Sequence, residues 1–75
     1  MKLSEGIVNQ EYVVKGIELE LTAKRRLEIL GMTQGARVLV LNSKKSGTKI
    51  IKVRGTRFAL GAEFSKGISV EVCND

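Results

Sequence analysis

Apolar and polar residues alternate in several short runs along this chain, and each run has the length of one β-strand. The clearest run is "ISVEV" (68–72), in which the apolar residues point one way and the serine and glutamate the other. "TKIIKVRG" (48–55) alternates in the same way, and "EYVVKGI" (11–17) is rich in strand-forming residues. "ARVLVLNS" (36–43) is apolar on both faces, which predicts a strand that is covered on both sides.

Residues from Thr22 to Gly31 instead have the spacing of a helix. Ala23, Leu27 and Leu30 follow one another at i, i+4 and i+7 and therefore lie on one helical face. Thr22 is a suitable N-cap, and Gly31 is a suitable residue just beyond the C-terminus. The sequence predicts one helix of about ten residues that partly covers the sheet.

Polar turns separate the predicted strands. "KKSG" (44–47) is a hairpin loop, "GTRFAL" (55–60) is a tight turn with a short strand, and "GAEFSKG" (61–67) has room for one helical turn. The total is about five short strands without βαβ alternation, which argues against a parallel sheet. Because closing a sheet removes its exposed edges, we expect an all-β fold, a small barrel with one helix after its first strand.

Size and composition place the chain among small globular domains. Its 75 residues are 43% hydrophobic and 28% charged, so we expect a single domain over residues 1–75. The only cysteine, Cys73, cannot form a disulfide within the chain. The sequence has no signal peptide pattern and no apolar run of about 18 residues, and we expect a cytoplasmic protein.

The chain contains no histidine. This excludes a histidine-based catalytic triad and an iron site of two histidines and one carboxylate. Cys73 lacks a second cysteine with which to hold zinc, and the carboxylates show no paired arrangement. A phosphate-binding glycine motif does not occur in the sequence. We therefore expect no enzymatic activity, no cofactor and no metal site.

The net charge is +5, from thirteen lysines and arginines and eight acidic residues. The cations of the hairpin loop and the next turn have two interpretations: a solvated face that protects strand edges, or a docking surface for an acidic patch on a partner. A small basic barrel that binds nucleic acid is a further alternative, although such barrels stack bases on aromatic rings and the chain has one tyrosine and two phenylalanines. The cations are Lys44, Lys45, Lys49, Lys52, Arg54 and Arg57.

Three cations, Lys24, Arg25 and Arg26, stand near the start of the predicted helix, where the helix dipole disfavours positive charge. Breaks of a local rule often mark function or tertiary pairing. Arg26 borders the apolar stripe, so we expect its stem to pack on the barrel. Arg25 with Ile29 and Met32 is a candidate contact for a partner, and a place at the periphery of the core is the alternative for Ile29 and Met32.

Several segments of the chain match a known family in order and spacing. Through these segments the chain resembles the ferrous iron transport protein A family, and the resemblance extends from about Leu3 to Val72. The resemblance departs at turns: Val8-Asn9 stands where the family often has Pro-Gly, and this chain has no proline at all. The matching segments are "LSE" (3–5), "VVKGI" (13–17), "RRLEILGMTQGARVLVL" (25–41), "VRGTRFAL" (53–60) and "ISVEV" (68–72).

The resemblance implies an SH3-like β-barrel and a non-enzymatic role in ferrous iron uptake. It also implies a partner, the cytosolic GTPase region of the ferrous iron permease FeoB, and thereby a cytoplasmic location at the inner membrane. The same domain type occurs in metal-dependent repressors, so a regulator is the alternative function, and weak self-association stays open. The residues predicted to bind the partner are Arg25, Ile29, Met32, Lys44, Lys45, Arg54 and Arg57.

Overall fold

The chain folds into five short strands, two short α-helices and one 3₁₀ turn, in a computed structural model that describes residues 1–73. Residues 74 and 75, the end of the predicted domain, lie outside the described residues. Along the chain the elements are a 3₁₀ turn at Leu3–Glu5, β1 at Glu11–Ile17, α1 at Leu21–Ile29, β2 at Arg37–Ser43, β3 at Lys49–Val53, β4 at Thr56–Leu60, α2 at Ala62–Ser65 and β5 at Ile68–Val72. All strand pairs are antiparallel, in the order β4-β3-β2-β1-β5.

The predicted strands are confirmed, and β2, β3 and β4 are shorter than expected by one or two residues at their ends. The helix begins earlier than predicted, because Glu20 takes the N-cap position and Thr22 lies inside the first turn. The prediction of Thr22 as N-cap is therefore wrong. Gly31 follows the helix with a left-handed φ of 103°, a conformation that glycine adopts without a steric penalty, as the sequence predicts.

The sheet curls but does not close, so β4 and β5 are its two edges. The expected complete closure is wrong in this detail. Register shifts in β1, between Val14 and Gly16, and in β2, between Val40 and Asn42, bend these two interior strands. The β5 edge is covered by the start of the chain: the Val70 amide donates to the Met1 carbonyl over 2.8 Å.

The curled sheet surrounds one apolar core. Tyr12 is buried within it, and its hydroxyl oxygen accepts the Ile7 amide proton over 2.8 Å, which satisfies a polar atom deep in the domain. The expectation that β2 is covered on both sides is wrong, because Leu39 and Leu41 are only half-buried. The core residues are Leu3, Tyr12, Val14, Leu27, Met32, Val38, Val40, Ile51, Val53, Leu60, Ile68 and Val70.

The expectation that Lys49 belongs to a solvated basic face is wrong, since only 6% of the residue is exposed. Its position at the start of β3 turns the side chain toward the N-terminal segment. The Lys49 Nζ donates to the Gly6 carbonyl over 3.1 Å and to the Ser43 Oγ over 2.8 Å. One ammonium group therefore joins the N-terminal segment to the β2–β3 hairpin.

Replacing Lys49 by methionine keeps most of the volume but leaves the buried Gly6 carbonyl without its donor. We expect Lys49→Met to lower the free energy of unfolding by about 1.5–3 kcal/mol, the range for hydrogen bonds to charged groups. Urea denaturation measures this change. Lys52→Met, at an exposed position of the same strand, is the control and should change stability by less than about 0.5 kcal/mol. Equal effects of the two substitutions would contradict this account of Lys49.

Candidate protein-binding surface

An apolar groove of about 200 Å³ lies between α1 and the segment that joins β4 to α2. Its lining combines buried residues with side chains that are open to solvent. Leu27 and Leu60 are buried, whereas Leu30 is 44% exposed and Phe64 is 41% exposed. The lining residues of α1 and its end are Ala23, Leu27 and Leu30, and those across the groove include Leu60, Gly61 and Phe64.

The helix contributes the face that its sequence predicts. Ala23, Leu27 and Leu30 all line the groove, which confirms that they share one side of α1. This face of α1 is nevertheless incompletely covered, because the sheet ends at β4. The next element along the chain, α2, is only four residues long. Arg26 also lines the groove, as expected for a residue beside the apolar stripe.

The structure does not place the three residues of the predicted partner contact, Arg25, Ile29 and Met32, on one surface. Met32 is fully buried, so the prediction that it meets a partner is wrong: the Gly31 turn directs it into the core. Ile29 is 84% exposed and Arg25 is also exposed, both on the side of α1 away from the groove lining. Their role in partner binding stays a prediction.

The cations near the helix start are less anomalous than the sequence indicates. Because α1 begins at Leu21, Lys24 is the fourth helical residue, and Arg25 and Arg26 follow it. The unfavourable interaction with the helix dipole falls off within the first turn. None of these three cations therefore needs a compensating partner at the helix start.

The predicted basic residues fall into two groups at opposite ends of β3. Lys44 and Lys45 lie at the tip of the β2–β3 hairpin, while Arg54 lies in the β3–β4 turn. At about 3.3 Å per residue, a strand of this length separates the groups by about 17 Å. The structure therefore separates the two hairpin lysines from Arg54 and from Arg57, which lies on β4.

Two further cations, Arg54 and Arg57, lie near the groove, in addition to Arg26 in its lining. The Arg54 Cδ lies 3.2 Å from the position that a Cβ on Gly31 would occupy, beside the end of α1. Arg57 is on β4, two residues before Ala59, which lines the groove. The groove thus has exposed apolar side chains and the Arg26 guanidinium in its lining, and the guanidinium groups of Arg54 and Arg57 lie near it.

Charge is unevenly distributed along the sequence. Residues 29–62 contain seven lysines and arginines but no aspartate or glutamate. The ion pairs within residues 1–73 all use carboxylates outside that segment, so Arg54 and Arg57 have none. These pairs join Lys2 to Glu18, Lys15 to Glu71 and Arg37 to Glu11.

The part of the chain that the structure describes lacks two other kinds of feature. No three His, Cys, Asp or Glu side chains there could together hold a metal ion. None of its helices has the length and the apolar character to cross a membrane.

The family model of the FeoA domain matches residues 1–72. The chain belongs to the FeoA domain family. FeoA proteins act in ferrous iron transport as non-catalytic accessory proteins, which assigns this chain to that process. A comparison with curated protein sequences finds no match.

Solved structures agree with the FeoA assignment. The FeoA protein of Chlorobium tepidum is 28% identical with a TM-score of 0.91, over 99% of this chain and 71% of that one. The zinc complex of Stenotrophomonas maltophilia FeoA, described as a procaryotic SH3 domain protein, is 29% identical with a TM-score of 0.82, over 95% and 89% of the two chains. The SH3-like fold predicted from the sequence is thereby confirmed.

A regulator shares this fold. A manganese-dependent transcriptional repressor matches 96% of this chain with a TM-score of 0.84, at 18% identity and over 40% of its own length. At that identity the match establishes a common SH3-like fold and no common function.

Two groove residues of this FeoA domain were not predicted as binding residues. Leu30 continues the apolar stripe of α1, which favours a place against the sheet, and only the extent of the sheet shows that it is left open. Phe64 stands in the short segment "AEFSKG" (62–67) between polar or small residues. A large aromatic side chain in such a turn was the signal that could have indicated it.

The contrast between Met32 and Ile29 gives a test of the site assignment. Met32→Ala should lower the free energy of unfolding by about 2–5 kcal/mol, because it opens a cavity in the core. Ile29→Ala should change it by less than about 0.5 kcal/mol, because the side chain is exposed. Chemical denaturation of the two variants measures both values. A stable Met32→Ala variant would show that this side chain is not part of the core.

Proposed function

We propose that this FeoA domain is a non-enzymatic adapter that supports ferrous iron uptake by binding the cytosolic GTPase region of the ferrous iron permease FeoB. The observation that carries the proposal is the apolar groove with exposed Leu30 and Phe64, bordered by the unpaired Arg54 and Arg57. The adapter works in the cytoplasm and reaches the inner membrane through its partner.

The dimensions of the groove favour a protein ligand. Pockets for small molecules and cofactors usually enclose about 300–1,000 Å³, whereas this groove has about 200 Å³ and is open to solvent. It can accept one or two side chains of a partner. Protein interfaces commonly combine such an apolar centre with a polar rim, and the two arginines supply a rim that steers an acidic partner.

A nucleic-acid ligand is disfavoured by the fate of the aromatic residues. Tyr12 is fully buried, and Phe58 is half-buried against the core. Phe64 remains as the exposed ring, whereas single-stranded nucleic acid is bound on several stacking platforms. The basic charge of the domain therefore fits an acidic protein surface better.

Leu30 and Leu21 form a matched pair for testing the groove. Both are exposed leucines of the α1 region, but Leu30 lines the groove and Leu21, 60% exposed at the helix start, does not. Leu30→Ser should weaken binding to the permease's cytosolic region by about tenfold or more, since burying a leucine contributes about 1.5–3 kcal/mol. Leu21→Ser should bind within about twofold of the unmodified protein. Calorimetry provides the affinities, and equal losses in both variants would argue against the groove.

The arginine rim predicts a dependence on salt. Screening lengths fall from about 10 Å at 0.1 M to about 3 Å at 1 M salt, so affinity should decrease over this range. The variant with both Arg54→Gln and Arg57→Gln should bind more weakly at low salt and respond less to added salt. The variant with both Lys44→Gln and Lys45→Gln, of equal charge, is the control and should keep the salt response. A flat response of the unmodified protein would instead indicate purely apolar docking.

A further inference from the structure

The outward edge of β4 carries backbone groups that no other strand meets within residues 1–73. Arg54 and Gly55, with φ of 52° and 80°, form the two-residue turn between β3 and β4. In such a hairpin the flanking residues, here Val53 and Thr56, form a hydrogen-bonded pair. Since hydrogen-bonded pairs alternate along an antiparallel ladder, the N–H and C=O groups of Arg57 and Ala59 point away from β3.

The two edges of the sheet differ in whether another segment of the chain covers them. Met1 and Lys2 pair with β5, through hydrogen bonds of Met1 with Val70 and a bridge between Lys2 and Ser69. The β4 edge has no such cover, and both Arg57 and Ala59 are exposed. Open strand edges bind other extended chains. A second copy of this chain is a poor occupant, because pairing two β4 edges would bring their arginines together.

Two features at this edge lower the stability of the fold: a pair of like charges and a strained turn residue. Arg57 lies directly opposite Lys52 in the ladder, and like charges in that arrangement are destabilising. Arg54 holds a left-handed φ of 52°, which is unfavourable for a residue other than glycine or asparagine. A ligand that brings carboxylates to this edge would offset the repulsion between Arg57 and Lys52.

We propose that the outward edge of β4 is a strand-addition site for an extended acidic segment of the partner. The segment's backbone pairs with the N–H and C=O groups of Arg57 and Ala59. Because successive side chains of a strand point to opposite faces, its carboxylates meet Lys52 and Arg57 on one side, and its apolar side chains enter the groove beside α1 on the other. This inference rests on the proposed function and specifies the chemistry of the bound segment.

Two substitutions at one position separate charge from backbone pairing. Arg57→Gln removes the charge and keeps the outward N–H, whereas Arg57→Pro removes both. Proline is compatible with an edge strand where its nitrogen faces outward. We expect Arg57→Pro to bind the permease's cytosolic region about tenfold more weakly than Arg57→Gln, because the added strand loses a hydrogen bond and meets the proline ring. Equal affinities of the two variants would overturn strand addition.

If Arg57→Pro does not fold, amide hydrogen exchange of the unmodified protein tests strand addition at the β4 edge instead. The amides of Arg57 and Ala59 should exchange rapidly in the free protein and become protected at least about tenfold when the permease's cytosolic region is bound. Binding without this protection would overturn strand addition and leave the proposed function intact. Absence of binding would overturn both.

Discussion

A single curled sheet has to bury its own apolar face, and the remaining features of this domain depend on that constraint. At 75 residues this is a small domain, and small domains bury only about 60% of their unfolded surface. The β1 and β2 bulges bend the sheet around the core. The N-terminal segment, held by Lys49 and Tyr12, covers one opening, and α1 covers another only in part. The groove at Leu30 and Phe64 is what this partial cover leaves open.

The sequence predicts the strands well because each has a local signal: alternation in β5, a polar hairpin loop after β2, and Gly55 in the turn before β4. It also predicts the helix and its end at Gly31. What it could not predict depends on contacts between distant segments. Lys49 reads as a surface cation, yet it is buried because its partner Gly6 is 43 residues away along the chain. Met32 is buried because the Gly31 turn directs it into the core, whereas Leu30 is left partly exposed where the sheet ends.

In the candidate site, too, local features could be predicted from the sequence and those that depend on distant segments could not. Its basic residues could be identified from the sequence, but their division between two ends of β3 could not. The groove is formed by α1, β4 and α2, whose residues lie apart in sequence. Exposed apolar side chains, arginines without carboxylate partners and an open strand edge occupy one region of the described residues. Each feature alone has a structural explanation, but their coincidence on a FeoA domain favours one docking surface.

The central claim is that this surface, rather than the hairpin tip, meets the permease. Titration of isotope-labelled protein with the permease's cytosolic region, followed by NMR, tests it most directly. We predict that the perturbed amide signals cluster at Leu30, Ala59 and Phe64 and spread along β4. A cluster at Lys44 and Lys45, with the groove signals unchanged, would contradict the account.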